Sequence, residues 1–480
     1  MADGSDGPSP ELLAAIDRRA AAPLHAQVER ALRGHIRSGR LRPGDRLPST
    51  RALAADLGVA RGVVAEAYAQ LRAEGRLVAN RGAGTRVAAR ASDSGPARPA
   101  PRSSGGGESH LAAGPQPAIR FDFRLGIPDL ALFPRRAWLA ANRRALAELP
   151  DGDLGYGDPA GLAALRGELA AYLGRVRAAD ARADSIIVTA GTVQGLALVC
   201  SVLRERGVRR IAVEQPGWAA QRAAVLGAGL EPVGLPVDGC GARVELLAEL
   251  DVGAVMLTPA HQFPVGAVLD PERRRLLAAW AANGDALIVE DDYDAEYRYD
   301  RSAPGCLQGL APEHTVYAGS TSKTLAPALR LGWLVAPPAL AGPLARAKLD
   351  ADRCAPALTQ AAFARLLAAG ELDRHLRRTR PVYRDRRAAL LDALAGHLPE
   401  LTPTSADAGL HAVALLPPGL DERAVVAAAA ARGVALTGVR QDGGAGDPGL
   451  VLGYASLPAE RIRAGIAELA HAVAAARRTR

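Results

Sequence analysis

The run Thr315-Val316-Tyr317-Ala318-Gly319-Ser320-Thr321-Ser322-Lys323, with Arg330 seven residues further on, decides how the larger part of this chain is read. Thr315–Ala318 suits a buried strand, and a strand ending in Gly-Ser-Thr-Ser-Lys delivers hydroxyls and an amine to one edge of a sheet. A lysine amine condenses with an aldehyde, while Ser320, Ser322 and Arg330 suit the grip of a phosphate. The lysine also stands out by number. Of 59 basic side chains only Lys323 and Lys348 are lysines, and a guanidinium cannot form a Schiff base.

Outward from this run, Ile186–Val188, Arg210–Val213, Ala254–Leu257 and Ala286–Val289 read as further buried strands with helices between them. That alternation predicts an α/β fold with a mostly parallel sheet. Three of the strand ends carry chemistry. Ile288-Val289-Glu290-Asp291-Asp292-Tyr293-Asp294 supplies carboxylates, and a carboxylate facing a pyridinium nitrogen keeps such a ring protonated and makes it an electron sink. Thr189-Ala190-Gly191-Thr192-Val193-Gln194-Gly195 lies between a strand and a helix, where backbone N–H groups and a hydroxyl make a phosphate seat. Glu214-Gln215-Pro216-Gly217-Trp218 sets an aromatic ring at a strand end, able to stack on a pyridine. Each segment alone has a plain alternative: a surface turn, solvated acids, a helix cap. Together, in this order, they specify one site for pyridoxal phosphate. Beyond about residue 340 the pattern changes to long helices with the runs Leu410–Leu415 and Leu450–Tyr454, which predicts a smaller α+β domain.

Residues 23–88 form a separate pattern. Leu24, Val28, Leu32 and Ile36 recur every four residues along one helical face that stops at Gly39. Arg42-Pro43-Gly44-Asp45 is a turn, and Ser49 or Thr50 can cap a short helix carrying Leu53, Ala54 and Leu57. After Gly58 a third helix runs from about Arg61 to Glu74, with Val64, Ala67, Tyr68 and Leu71 inward; Leu77-Val78 and Thr85-Arg86-Val87 then flank Arg81-Gly82-Ala83-Gly84 as two short strands. A helix, a helix-turn-helix and a Gly-rich hairpin make a winged helix. Residues 21–90 hold 13 arginines against 5 acids, which equals the whole chain's net +8. A basic module on a balanced protein points to a polyanion, double-stranded DNA above all.

Residues 89–117, rich in Ala, Pro, Ser and Gly, read as a flexible linker. The four cysteines, Cys200, Cys240, Cys306 and Cys354, lack metal-type spacing, and no metal site is expected. The N-terminus has no apolar core of a signal peptide and no stretch approaches 18 apolar residues; a cytoplasmic protein without a membrane segment is the expectation.

Two resemblances sharpen these readings. Leu47-Pro48-Ser49-Thr50-Arg51, Leu53-Ala54, Leu57-Gly58-Val59-Ala60-Arg61, Ala67-Tyr68, Glu74-Gly75-Arg76-Leu77 and Gly82-x-Gly84-Thr85 resemble the GntR-type winged helix. The resemblance implies a DNA-binding domain over residues 20–88. Its contacts are expected from Ser49, Thr50, Arg51, Arg61 and Gly62 around the recognition helix and from Gly82, Gly84 and Thr85 in the wing. The sequence departs from the family at Ala60, Gly62 and Val63, where a small hydroxyl residue before Arg61 and hydroxyl residues after it are usual.

The lysine and carboxylate segments resemble fold-type I aminotransferases, with large and small domains over residues 118–480 (large part about 140–340, small part about 341–480). More narrowly they resemble the MocR regulators, in which such a domain is fused to a GntR winged helix. Further matches are Phe121-Asp122-Phe123-Arg124-x-Gly126-x-Pro128-Asp129, Tyr156-Gly157-Asp158-Pro159 and Thr258-Pro259-Ala260-His261-Gln262-Phe263-Pro264-x-Gly266.

The resemblance implies that Lys323 forms an aldimine with pyridoxal 5'-phosphate, Asp291 pairs with the ring nitrogen and Tyr293 meets the phenolic oxygen. Thr192, Val193, Ser320, Ser322 and Arg330 would seat the phosphate, Trp218 would stack on the ring, and Tyr156 would reach the partner's phosphate in a domain-swapped homodimer. Phe263 stands where many aminotransferases place an Asn, and His261 or Gln262 would compensate. Val451 stands where an arginine for the substrate carboxylate is usual, leaving Arg222 or Arg440 as substitutes. The expected function is a DNA-binding regulator sensing the cofactor or an amino compound. A working aminotransferase with a DNA-binding domain is the alternative, and an inert dimerisation scaffold a third reading.

Overall fold

The computed structural model describes residues 16–17, 23–73, 77–80, 84–88, 118–299, 305–404, 407–440 and 446–478. The chain divides into two compact units, residues 1–105 and 106–480.

In the first unit the helices Leu24–Arg37, Thr50–Asp56 and Arg61–Ala73 pack Val28, Leu32, Leu53, Val64, Ala67 and Leu71 into one apolar cluster. Tyr68 belongs to the same core and donates its hydroxyl to the Pro48 carbonyl at 3.0 Å. The strands Leu77–Asn80 and Gly84–Val87 pair antiparallel as expected. A third strand, Arg46–Leu47, pairs with the outer side of the hairpin. Two residues are too few for a periodic signal, and this strand is absent from the sequence-based expectation. The turn at Arg42 closes as predicted, with the Asp45 carboxylate accepting from the Arg42 N–H at 2.6 Å.

The second unit is built on an eight-stranded sheet. The five expected strands are present as Ile186–Thr189, Arg210–Gln215, Ala254–Leu257, Leu287–Asp291 and Thr315–Ser320, all but the first hydrogen-bonded in parallel to one another in the order 210–254–287–315. Gly332–Val335 inserts antiparallel between Ile186–Thr189 and Thr315–Ser320, so Gly332 stands opposite both Thr189 and Ser320. Apolar helices cover the sheet, as strands buried on both faces require. Thr192–Glu205 and Pro338–Asp352 pack on one side with Leu196, Val199, Leu340 and Leu344, and Pro271–Gly284 packs on the other with Leu277.

The long helix Glu371–His397 leads to a second, four-stranded antiparallel sheet that contains His411–Leu415 and Gly449–Gly453, close to the two predicted apolar runs. Phe121–Asp122 pairs with Val434–Ala435, tying the start of this unit to its C-terminal part. Among the described residues no helix is long and apolar enough to cross a membrane.

Candidate functional site

The ends of the parallel strands converge on a group of buried acids. Side chains alternate along a strand, so 287, 289 and 291 share one face of Leu287–Asp291, and 288 and 290 share the other. Asp292, the next residue on, continues the second set. There its Oδ2 accepts from Arg177 Nε at 2.6 Å and from the Tyr317 hydroxyl at 2.9 Å, all three groups being buried. Asp292 is thereby neutralised within the protein. Asp291 is not. Its Oδ2 receives one bond of 3.3 Å from Gln221, and its Oδ1 is buried without a hydrogen-bond partner. Burial, reinforced by Asp292 and Asp294, pushes its carboxyl up to about 7. Strand parity thus puts Asp291 and Asp292 on opposite faces. Among the described residues Asp291, the one registered from the sequence, is the one without an arginine partner.

Asp291 stands opposite Ala318, one residue before Gly319-Ser320. The chain then turns, and Lys323 Nζ donates to the Gly126 carbonyl at 2.8 Å. Burial lowers the proton affinity of this amine, while Asp294 and Asp291 partly offset that effect. A Cβ on Gly126, whose φ is 104°, would stand 3.5 Å from Nζ.

Ser320, Arg330 and the start of the helix Thr192–Glu205 meet across the inserted strand. Gly191 precedes the helix with φ 92°, and a Cβ there would press on the Arg330 guanidinium at 3.2 Å. Arg330 itself donates to the Ala190 carbonyl. Ser320 is buried and its Oγ accepts from the Ser322 N–H at 3.4 Å. Thr192 is half-buried at the helix start, whereas Val193 is exposed. Trp218 precedes the helix Ala219–Gly227 and packs partly buried against the sheet's apolar side.

Tyr293 follows the acids. Its hydroxyl lies 3.1 Å from His261 Nδ1, which also contacts both oxygens of Asp294 at 3.0 and 3.2 Å. The His411 ring lies 4.9 Å from that of His261, and burial together with His261 drives its pKa down to about 3. Of the two residues expected to compensate for Phe263, His261 therefore acts on Tyr293. Gln262 instead braces the loop by donating to the carbonyls of Pro216 and Phe263. Asp294, His411 and Gln221 as members of the site, and Arg177 as the partner of Asp292 behind it, were not foreseen. Each is brought in by tertiary packing, and only Asp294 falls within a motif that the sequence displays.

Val451 is buried in an apolar cluster with Val413 and Val439, against Leu125 and Leu415. Position 451 therefore offers no cation for a carboxylate clamp. Arg222 is exposed on its helix; Arg440 is exposed and donates to the Gly446 carbonyl at 2.6 Å. Tyr156 is 86% exposed, with the Arg353 guanidinium 5.3 Å from its ring centre.

In the first unit Arg51 and Arg61 are exposed on the two helices of the helix-turn-helix, and Arg61 Nε donates to Thr50 Oγ1 at 3.5 Å. Ser49 caps the helix Thr50–Asp56 by accepting from the Ala52 N–H at 3.1 Å. Gly62 is exposed with open space around it. Gly84 holds φ 83° beside the Arg46 guanidinium, and Thr85 is half-buried in the wing. Gly82 lies outside the described residues, as does the linker 89–117.

A strand-end lysine beside a buried acid on this sheet, carried with a winged helix, defines a class. Residues 122–468 match the aminotransferase class I and II family and residues 24–87 match the bacterial regulatory proteins of the gntR family. The chain belongs to the MocR-type regulators, GntR helix-turn-helix proteins fused to an aminotransferase class I/II domain. It is 36% identical over 452 residues to the HTH-type pyridoxine biosynthesis transcriptional regulator PdxR of Corynebacterium glutamicum, covering 94% of this chain and 96% of that protein. To the probable rhizopine catabolism regulatory protein MocR of Rhizobium meliloti it is 33% identical, covering 95% and 94%. Among solved structures, the α-aminoadipate aminotransferase LysN of Thermus thermophilus, complexed with N-(5'-phosphopyridoxyl)-L-leucine, superposes with a TM-score of 0.68 at 28% identity, covering 75% of this chain and 93% of that one.

Proposed function

We propose that this chain is a transcription regulator that binds double-stranded DNA through residues 24–87 and senses pyridoxal 5'-phosphate, or an amino compound reacting with it, at Lys323. The observation that carries the reading is the unbalanced Asp291 beside the Lys323 amine. A buried carboxyl oxygen without a hydrogen-bond donor is unfavourable unless an outside group completes it, and a protonated pyridine nitrogen is such a group. The turn at Gly191 fits the phosphate, since it brings the Arg330 guanidinium against a helix start at a point where any side chain would intrude.

When bound, the cofactor supplies an aldehyde that condenses with the Lys323 amine, releasing water, and a ring nitrogen that takes up a proton. The chain's own residues prepare that chemistry. Burial favours the uncharged, nucleophilic form of Lys323, and the Gly126 carbonyl holds its nitrogen in place. Asp291 would hold a proton at the ring nitrogen, Tyr293 would offer its hydroxyl to the phenolic oxygen, Trp218 would cover the ring face, and Thr192, Val193, Ser320, Ser322 and Arg330 would hold the phosphate.

The apolar setting of Val451 supports a sensor over a working aminotransferase, because a small amino acid would lack the bidentate clamp on its carboxylate. Exposed Tyr156 supports a homodimer in which it reaches the partner's phosphate. In the first unit, exposed Arg51 and Arg61 suit guanine edges and phosphates, with the wing at Gly84 approaching the minor groove. Coupling requires that DNA-bound and free states differ in cofactor affinity, with residues 89–117 joining the two units in the cytoplasm.

The test is binding of the full chain to DNA upstream of its own gene, with and without pyridoxal phosphate, in the native chain and in Lys323→Ala. A cofactor-dependent change in affinity that vanishes in the variant is the expected result. Equal DNA affinity with and without cofactor sinks the sensing role, and steady turnover of an amino donor with a keto acid favours the enzyme.

A further inference from the structure

Lys348 is the second of the chain's two lysines, and nothing in the cofactor chemistry above uses it. It lies near the end of the helix Pro338–Asp352 with its side chain fully buried, an unusual place for an ammonium unless it is paired. The partner is Asp352, one turn on, whose Oδ1 accepts from Nζ. Asp352 Oδ2 in turn accepts from Gln194 Nε2 at 2.6 Å. Gln194 stands in the first turn of the helix Thr192–Glu205, and its Oε1 accepts from the Ala190 N–H at 2.7 Å. The Ala190 carbonyl receives Arg330, and the Gly191 carbonyl receives the Thr189 hydroxyl at 3.1 Å. The N–H and the carbonyl of Ala190 are thus both fixed, one by a relay that starts at Lys348 and the other by a phosphate-seat arginine.

We infer that Lys348, through Asp352 and Gln194, is a positioning residue for the phosphate seat. The inference rests on the reading of Lys323 and Gly191 as a pyridoxal phosphate site. Two physical effects follow from the relay. It holds the turn at residues 189–191 in a conformation that leaves the N–H groups of the helix start free to face an anion. It also sets a buried positive charge against the carboxylate that is bonded to that first turn. Removing the ammonium leaves the Asp352 charge to oppose an incoming phosphate dianion, while the aldehyde end of the ligand, at Lys323, is untouched. An arginine would carry the same charge in a larger planar group, and the fully enclosed space around Nζ suits the compact ammonium.

The experiment compares two ligands that differ only in the phosphate. Equilibrium binding of pyridoxal phosphate and of pyridoxal to the full chain is followed by the visible absorbance that condensation with lysine produces. The chains compared are the native one, Lys348→Met, Lys348→Met/Asp352→Asn and Gln194→Ala. The expected result is a loss of about tenfold in the preference for the phosphorylated ligand in Lys348→Met and in Gln194→Ala, with pyridoxal binding unchanged. Part of the preference returns in the double variant, where no charge is left over.

A preference equal to the native value in both single variants overturns the inference, and so does an equal weakening of both ligands, which a merely structural role would give. Should Lys348→Met fail to fold, Gln194→Ala at the half-exposed end of the relay decides alone. A native chain that develops no band with either aldehyde removes the underlying cofactor reading. A native chain that develops both bands, with variants indistinguishable from it, removes only the role of Lys348.

Discussion

The two faces of the strand end at Leu287–Asp291 treat neighbouring acids in opposite ways. On one face Asp292 meets Arg177 and Tyr317, and the charge is balanced before any ligand arrives. On the other, Asp291 has a single long bond from an amide and a bare oxygen. A buried ion pair contributes to the native arrangement and is strongly destabilising to break. The bare oxygens do not separate the faces, since Asp292 Oδ1 and Glu290 Oε1 are buried without a partner too. The Arg177 guanidinium does, because it serves Asp292 and Glu290 but not Asp291, which leaves Asp291 as the acid for a ligand to complete. The difference between adjacent residues is the difference between scaffold and site.

The largest test of that contrast is Lys323→Ala. If the site face exists for an aldehyde, the visible band produced with pyridoxal phosphate disappears altogether in this variant. The melting temperature stays close to native, since the amine makes one hydrogen bond, to Gly126. A band that survives would move the chemistry to Lys348, the other lysine, and break the assignment of faces. Next in size, Asp292→Asn removes the carboxylate that is bonded to buried Arg177 and to the Tyr317 hydroxyl. It is expected to lower unfolding free energy by about 3–5 kcal/mol in denaturant titration. Asp291→Asn without ligand should show no such loss. The same substitution should weaken pyridoxal phosphate binding by about tenfold to a hundredfold, the range for a hydrogen bond to a charged group. Equal stability losses in the two variants would erase the distinction.

Much of this contrast was legible in the sequence, and the reasons it was not wholly so are physical. The parallel strands announced themselves as apolar bursts, and the chemistry-bearing residues at their ends stood out because they break those bursts. The family motif, registered on the sequence, selects Asp291 over Asp292; strand parity puts the two on opposite faces but does not say which face a ligand meets. The partners that give the two acids their different fates were invisible, because Arg177, Gln221 and Tyr317 lie 115, 70 and 25 residues from the acid they contact. Short elements escaped for another reason. Gly332–Val335 and Arg46–Leu47 are four and two residues long, and pairing in a sheet, rather than any pattern of their own, makes them strands. The arginines of the winged helix, Arg51 and Arg61, are legible through the resemblance of their motif to the GntR type, and both are exposed.

A smaller effect concerns pH. Burial holds Asp291, Glu214 and Glu290 at about 7, whereas an unfolded carboxyl titrates near about 4. These three carboxyls therefore bind more protons in the native chain than in the unfolded one between those values. Their own contribution to stability without ligand is fully present below about pH 4, falls as pH rises towards about 7 and levels off above it. Buried His411, held at about 3, contributes in the opposite sense. Asp291→Asn removes one of these protons, so its decline over that window should be shallower than native. Saturating pyridoxal phosphate should flatten the curve in the same sense, because a ring cation facing Asp291 lowers its pKa. Thermal melts taken at intervals from about pH 4 to about pH 8, a range that brackets both titrations, check the sign. A steeper decline with ligand bound would contradict the pairing of Asp291 with a cation.

The finest distinction lies within the site face, at His261. Its Nδ1 is shared between Asp294 and the Tyr293 hydroxyl. If the ring's proton sits on Nδ1 and is held by the carboxylate, the tyrosine oxygen can only accept there, and its own proton is turned away from the histidine towards the ligand. With Phe263 unable to donate, Tyr293 then becomes the donor on which the phenolic oxygen depends. A phenolic oxygen deprived of its donor holds the neighbouring proton more tightly, so the pH midpoint of the visible spectrum moves upward. Tyr293→Phe should move it by the worth of one hydrogen bond, about one pH unit at most. His261→Gln, which loosens the donor without deleting it, should move it in the same direction by a fraction of that amount. Spectroscopic titration of the two variants decides the point. A shift with Tyr293→Phe and none with His261→Gln would mean that packing against Phe263, whose ring meets Tyr293 edge-on at 6.3 Å, orients the hydroxyl instead.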